Sequence, residues 1–151
     1  MSITLNKFLK SEGYSSIKLI FLETKHYLIE AKVNGIDGRF ILDTGASNSC
    51  ICTSLEDKFK VISKESKEKA SSANSEMTHI KISKSNIIQI GKWEDKIKLI
   101  TFDMSHINTA FSEKKVSPID WILGADILKK SNSILDYKSN KLFMKLWFDW
   151  F

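Results

Sequence analysis

The residues best equipped for chemistry stand in one run, Arg39-Phe40-Ile41-Leu42-Asp43-Thr44-Gly45-Ala46-Ser47. Ile41 and Leu42 read as a strand covered on both faces. An acid, a hydroxyl and a glycine follow at once. A carboxylate at the end of a buried strand is costly unless a site uses it, so Asp43 reads as a desolvated reactive group. Gly45 permits a backbone turn that a side chain would obstruct. Thr44 offers a hydroxyl that can bond across to a neighbouring main chain.

Asp43-Thr44-Gly45-Ala46 after an apolar strand resembles the active-site motif of the retropepsin-like, single-lobe aspartic proteases. Trp121-Ile122-Leu123-Gly124-Ala125-Asp126-Ile127-Leu128 resembles that family's second hallmark, an apolar pair and glycine leading into a short helix. Ile134-Leu135-Asp136-Tyr137-Lys138-Ser139-Asn140-Lys141-Leu142 looks like the closing hairpin of the same fold. The three landmarks come in the family's order over nearly the whole chain, which is more specific than any one of them.

The resemblance implies a peptide-bond hydrolase with Asp43 as the catalytic acid. Thr44 would bond across the catalytic pair and fix its loop. Gly45 would let a substrate backbone approach, Ala46 matches the family pattern, and Gly124 would close the loop that braces the active-site strand. A lone carboxylate is poorly suited to hydrolysing an amide. Two at short range share one proton, because like charges there cannot both ionise; one then activates a water while the other protonates the carbonyl oxygen. Asp43 lies in the only Asp-Thr-Gly, so activity requires two chains about a twofold axis. The partners expected are therefore a polypeptide substrate and a second copy, with no cofactor and no metal, and acid pH should favour the reaction. Asp120 and Asp126 are rivals for the second acid. Asp126, at an expected helix start, reads better as a cap and dipole complement, and Asp136 as a turn acid. A flap is expected within residues 70–82, although Ser71-Ser72-Ala73-Asn74-Ser75 lacks the glycines of the family's flap tips.

Composition bounds the alternatives. A chain of 151 residues, 42% hydrophobic and 27% charged, fits one soluble domain with a proper core. No leader and no membrane-length apolar run is visible, which makes a cytoplasmic protein the expectation. The net charge of +5 comes from 22 lysines and one arginine. Scattered lysine interleaved with acids is a poor nucleic-acid signal, because arginine is the preferred fork for phosphate and guanine. Cys50 and Cys52 match neither a disulfide framework nor a zinc spacing, and read as small, mostly buried thiols.

The elements that must position Asp43 read as follows. Leu5, Phe8 and Leu9 at helical spacing predict a short helix ending near Gly13. Residues 17–22 and 26–33 read as strands. The cluster Asn34-Gly35-Ile36-Asp37-Gly38 predicts a hairpin whose second arm carries Asp43. Extended structure resumes over 49–51, and 55–61 reads as a short helix. Residues 63–78, rich in Ser, Lys and Glu, read as loop-like. Ile80, Ile82, Ile87, Ile88 and Ile90 predict strands ending at Gly91-Lys92-Trp93, residues 97–102 another, and 108–117 a loop. The sum is an all-β, retropepsin-like closed barrel of short strands with one or two short helices, one lobe per chain. Three segments are expected: a helical extension over 1–16, the protease domain over 17–146, and an aromatic tail over 147–151, which would seal a dimer, pack on its own core or occlude the cleft. A catalytically weak or inactive module for binding or dimerisation is the alternative to the enzyme.

Overall fold

A computed structural model describes residues 2–65, 71–72, 75–76, 80–103 and 119–147. Helix α1 (Leu5–Ser11) opens the chain, capped by the Thr4 hydroxyl, which accepts from Lys7 N at 3.2 Å. Leu9 alone of its apolar stripe is buried, while Leu5 and Phe8 remain exposed.

The run expected as one strand over 17–22 is two. Strand β1 (Tyr14–Lys18) and strand β2 (Ile20–Phe21) join different sheets. Leu19 breaks the run between them: it is buried, and its amide donates to Asn140 O at 2.8 Å. The division expected at residue 16 falls inside β1, which is paired along its length.

Strands β3 (Tyr27–Val33) and β4 (Ile36–Leu42) form the expected hairpin with a tighter turn, since Val33 pairs with Ile36. Only Asn34 and Gly35 turn, both at positive φ, as two-residue hairpin loops require. Ile36, Asp37 and Gly38 belong to the strand. Gly38 is where two aromatics approach the backbone: an added β-carbon would lie 3.1 Å from the Phe59 ring and from Trp121.

Strand β5 (Cys50–Cys52) follows the Asp43 loop. The helix expected over 55–61 is instead a 3-10 turn (Thr53–Leu55) followed by further turns. Phe59, wholly buried and edge-on to Trp121 at 5.0 Å, decides this. Burying one large ring outweighs the weak propensity of a helix of only two turns.

Short strands β6 (Lys64–Glu65), β7 (Ser71–Ser72) and β8 (Ser75–Glu76) lie in the run read as loop-like. The isoleucine-rich run is a single strand, β9 (Lys81–Ile90). It turns at Gly91-Lys92 into β10 (Trp93–Phe102), with a register shift between Ile97 and Leu99. Strand β11 (Trp121–Leu123) and helix α2 (Ala125–Lys130) precede the closing hairpin of β12 (Ile134–Asp136) and β13 (Lys141–Lys145). Asp136 accepts from Lys138 N and from Ser139 Oγ, and the Ser139 bond holds its carboxyl below the usual range. The loop expected over 108–117 lies outside the described residues.

Sheet order is β2-β3-β4-β11-β5-β10-β9-β6, and a further β3–β9 pairing closes β3, β4, β11, β5, β10 and β9 into a barrel. A second sheet, β1-β13-β12, packs against it. The barrel core contains Ile29, Val33, Phe40, Ile51, Phe59, Ile88, Leu99, Trp121 and Leu123. The all-β barrel expected from the sequence, with two short helices among the described residues, is what the chain forms. No helix among those residues is long and apolar enough to cross a membrane.

Candidate active site

The β4–β5 connection carries Asp43, and β11 is inserted between those two strands. It runs parallel to β4, with Leu123 beside Leu42, and antiparallel to β5, with Ile122 beside Cys50. The loop therefore arches over the end of a strand to which both of its arms are bonded. Asp43 N donates to Leu123 O at 2.9 Å, continuing the ladder by one bond. Asp43 Oδ1 then accepts from Gly45 N at 3.0 Å, and Asp43 O from Ala46 N at 3.2 Å. Together these make a side-chain-closed turn that fixes the orientation of the carboxylate.

Two expectations change here. Asp43 is exposed in the single chain rather than desolvated. The apolar strand carries it to the barrel's rim and stops, and no described residue buries it there. Gly45 lies outside the left-handed region, and an added β-carbon would meet only Asp43 Oδ1 at 3.4 Å, an ordinary contact. The turn itself therefore does not demand glycine. Thr44 is also exposed, and its hydroxyl has no partner among the described residues.

Gly124 lies against the Asp43 loop. Its amide donates to Ser49 Oγ at 2.9 Å. An added β-carbon would lie 2.7 Å from Ala46 O and 3.0 Å from the Asn48 carbonyl, so no side chain fits. The half-buried Ala46 accepts from Ala125 N at 2.7 Å.

The rival acids are engaged elsewhere. Asp120 Oδ2 accepts from Arg39 N at 3.0 Å, and Asp120 N donates to Arg39 O at 3.0 Å. That contact is four residues back along β4, roughly 13 Å from Asp43 at strand rise. Asp126 stands in the first turn of α2 and accepts from Ser49 N at 3.0 Å, Ser49 Oγ at 2.7 Å and Ile127 N at 2.9 Å. It complements the helix dipole as expected but does not cap the helix. The N-cap is Gly124, with no side-chain cap bond, and the Asp126 carboxylate is taken by Ser49, which the sequence reading passed over. The available signal was a serine six residues after Asp43 at the start of an apolar strand.

The cysteines are free and buried. Cys50 donates to Asn48 O at 3.2 Å, and burial, with the Asp126 and Asp43 charges behind it, pushes its thiol up to about 12. Among the described residues no group of three or more His, Cys, Asp or Glu is arranged to hold a metal. Strands β7 and β8, within the expected flap, pair antiparallel with Ser72 opposite Ser75; residues 73–74 and 77–79 lie outside the described residues. So do residues 148–151 of the aromatic tail, while Trp147 is 63% exposed.

A family model described as aspartyl protease matches residues 29–127, which contain both the Asp43 loop and the Gly124 corner. Among solved structures, a retropepsin-like aspartic protease from Rickettsia conorii is similar with TM-score 0.59 and 19% identity, over 87% of this chain and 90% of that one. The EIAV protease is similar with TM-score 0.57 and 18% identity, over 78% of this chain and 98% of that one. The retroviral protease-like domain of Ddi1 from Leishmania major gives 0.53 and 15%, over 78% and 86%. No curated protein matches the sequence. The structural likenesses establish the fold, the family match spans most of the chain, and the chain therefore belongs to the aspartyl protease family, with the retropepsin-like single-lobe architecture.

Proposed function

We propose that the chain is one half of a homodimeric aspartic endopeptidase, in which each copy contributes its Asp43. The observation that carries this reading is the state of Asp43: a carboxylate fixed in orientation by its own turn, yet exposed, with Asp120 and Asp126 both committed elsewhere. The second acid then has to come from another copy.

In the dimer the two Asp43 carboxyls hold one proton between them. The ionised one takes a proton from a water that attacks the scissile carbonyl carbon. The protonated one gives its proton to the carbonyl oxygen as the C–O bond forms. Collapse of the tetrahedral diol breaks the C–N bond: the leaving nitrogen receives the proton held by the first carboxyl, and one diol hydroxyl returns its proton to the second, which restores the shared-proton pair. Thr44, without a partner among the described residues, bonds across the twofold axis. Gly45 leaves room for substrate backbone, which is the remaining reason for a glycine that its own turn does not need. Ala46 and Gly124 hold the loop on the β11–α2 corner. The hairpin built on β7 and β8 serves as the flap.

The test is cleavage of an unfolded protein and a mixed peptide library from about pH 4 to 7, where a shared-proton pair titrates. Wild type and Asp43→Asn are compared at high concentration. Loss of at least a thousandfold in the variant, with fold and dimer kept, is the expected result. Equal cleavage by both would sink the assignment. A demonstrated wild-type dimer that cleaves nothing would favour a binding or dimerisation module.

A further inference from the structure

Ser49 is bonded through every polar atom it has. Its amide donates to Asp126 Oδ2 at 3.0 Å and its hydroxyl to Asp126 Oδ1 at 2.7 Å. The same hydroxyl accepts from Gly124 N at 2.9 Å, and its carbonyl accepts from Ile100 N at 3.2 Å. The residue is 2% exposed. A buried hydroxyl of this kind is costly to orphan, since each partner would lose its bond as well.

The placement of these bonds matters more than their number. The Asp43 loop is tied at its start by Asp43 N to Leu123 O, in the middle by Ala125 N to Ala46 O, and at its far end by Ser49. The first two ties are single backbone bonds. The third joins the loop both to the Gly124 backbone and to a carboxylate in the first turn of α2, so it sets the angle between loop and helix.

We infer that Ser49 and Asp126 form a positioning pair, which holds the Asp43 carboxylate in its working orientation by locking the loop to α2. Neither touches the substrate; both act through the loop. The effect on turnover rests on the peptidase reading, whereas the locking itself does not. A displacement of about 1 Å at a reacting group can cost about a hundredfold in rate, so the pair should register in kcat more than in KM.

The experiment compares full-length wild type with Ser49→Ala, Ser49→Thr and Asp126→Asn. One readout needs no activity: amide shifts and hydrogen exchange at Asp43 and Gly45 in the folded protein. Ser49→Ala should shift both amides and speed Gly45 exchange about tenfold, and Ser49→Thr, which keeps the hydroxyl, should restore both. In the cleavage assay Ser49→Ala should lower kcat about ten- to a hundredfold with KM within about twofold. Should Ser49→Ala fail to fold, Asp126→Asn, which retains shape and one acceptor oxygen, carries the same readouts. Unchanged amides in a folded variant would overturn the inference whatever the activity, and so would loosened amides with full kcat. Loosened amides in a protein whose wild type shows no Asp43-dependent cleavage would support the lock and remove the peptidase reading instead.

Discussion

A β-carbon placed on Gly124 would stand 2.7 Å from the carbonyl oxygen of Ala46, the residue that ends the Asp43 motif. Two segments nearly eighty residues apart in the chain thus meet backbone to backbone, with no room for a side chain. This contact lets Ala125 N reach Ala46 O and holds the Asp43 loop against the start of α2.

Gly124→Ala should therefore be strongly disruptive even though the change is one methyl. The atoms it would meet, Ala46 O and the Asn48 carbonyl, are backbone, so relief requires moving the loop. Overpacking of this kind costs about 2 kcal/mol, a fall in Tm of about 4–8 °C for a chain of this size. Thermal unfolding checks it. A variant with the wild-type Tm would show that the corner is looser than drawn.

Cys50 predicts a pH dependence of stability. Burial, then the charges of Asp126 and Asp43, raise its thiol to about 12 in the folded chain. The unfolded thiol ionises near 8.5, so above that pH the folded state binds more protons and stability falls as pH rises. Below it the contribution is fully present. The slope is about 1.4 kcal/mol per pH unit until the folded pKa is reached. Urea unfolding at pH 8 and pH 10 should show a steeper loss for wild type than for Cys50→Ala. Equal losses would mean that the thiol ionises freely in the folded protein.

Thr44 bears on assembly. Its hydroxyl has no partner among the described residues, and one hydrogen bond is worth about 1 kcal/mol. In the proposed dimer, with one Thr44 from each copy at the axis, Thr44→Val should raise the dissociation constant by about tenfold or more. Sedimentation measures that directly. Specific activity should also fall on dilution, earlier for the variant. Full specific activity from a demonstrated monomer would refute the shared site.

Phe59 tests the barrel plug. It is wholly buried against Trp121 and over Gly38. Truncation to alanine should cost about 3–5 kcal/mol, with the loss seen as a lower urea midpoint at unchanged slope. A loss below 1 kcal/mol would mean that the turn run over 56–61 is held by its backbone bonds instead.

Much of the site was readable from local pattern. The apolar run ending at Asp43 and the turn chemistry of Asn34-Gly35 are short-range signals, whereas the Gly124 corner was legible only through the family resemblance. Each of the two signals depends on residues a few positions apart, and strand, turn and helix periods are properties of neighbours. The helix expected over 55–61 failed because Phe59 answers to Trp121, sixty-two residues away, and no local period records that demand. The strand expected over 17–22 failed for a similar reason, since the burial of Leu19 and its bond to Asn140 divide the run between two sheets.

What the sequence by itself determined is that one acid ends a buried strand, that a hydroxyl and a glycine follow it, and that a second glycine corner comes later in a barrel of short strands. The tertiary structure alone decided that β11 threads between the two arms of the Asp43 loop. From that threading come the bond from Asp43 N to Leu123, the closure of Gly124 on Ala46, and the capture of Asp126 by Ser49. It also decided that Asp43 stands exposed rather than buried. Burial of a strand is set by the pattern along it, but whether its last residue is covered depends on what lies beyond the strand's end, and none of the described residues buries Asp43.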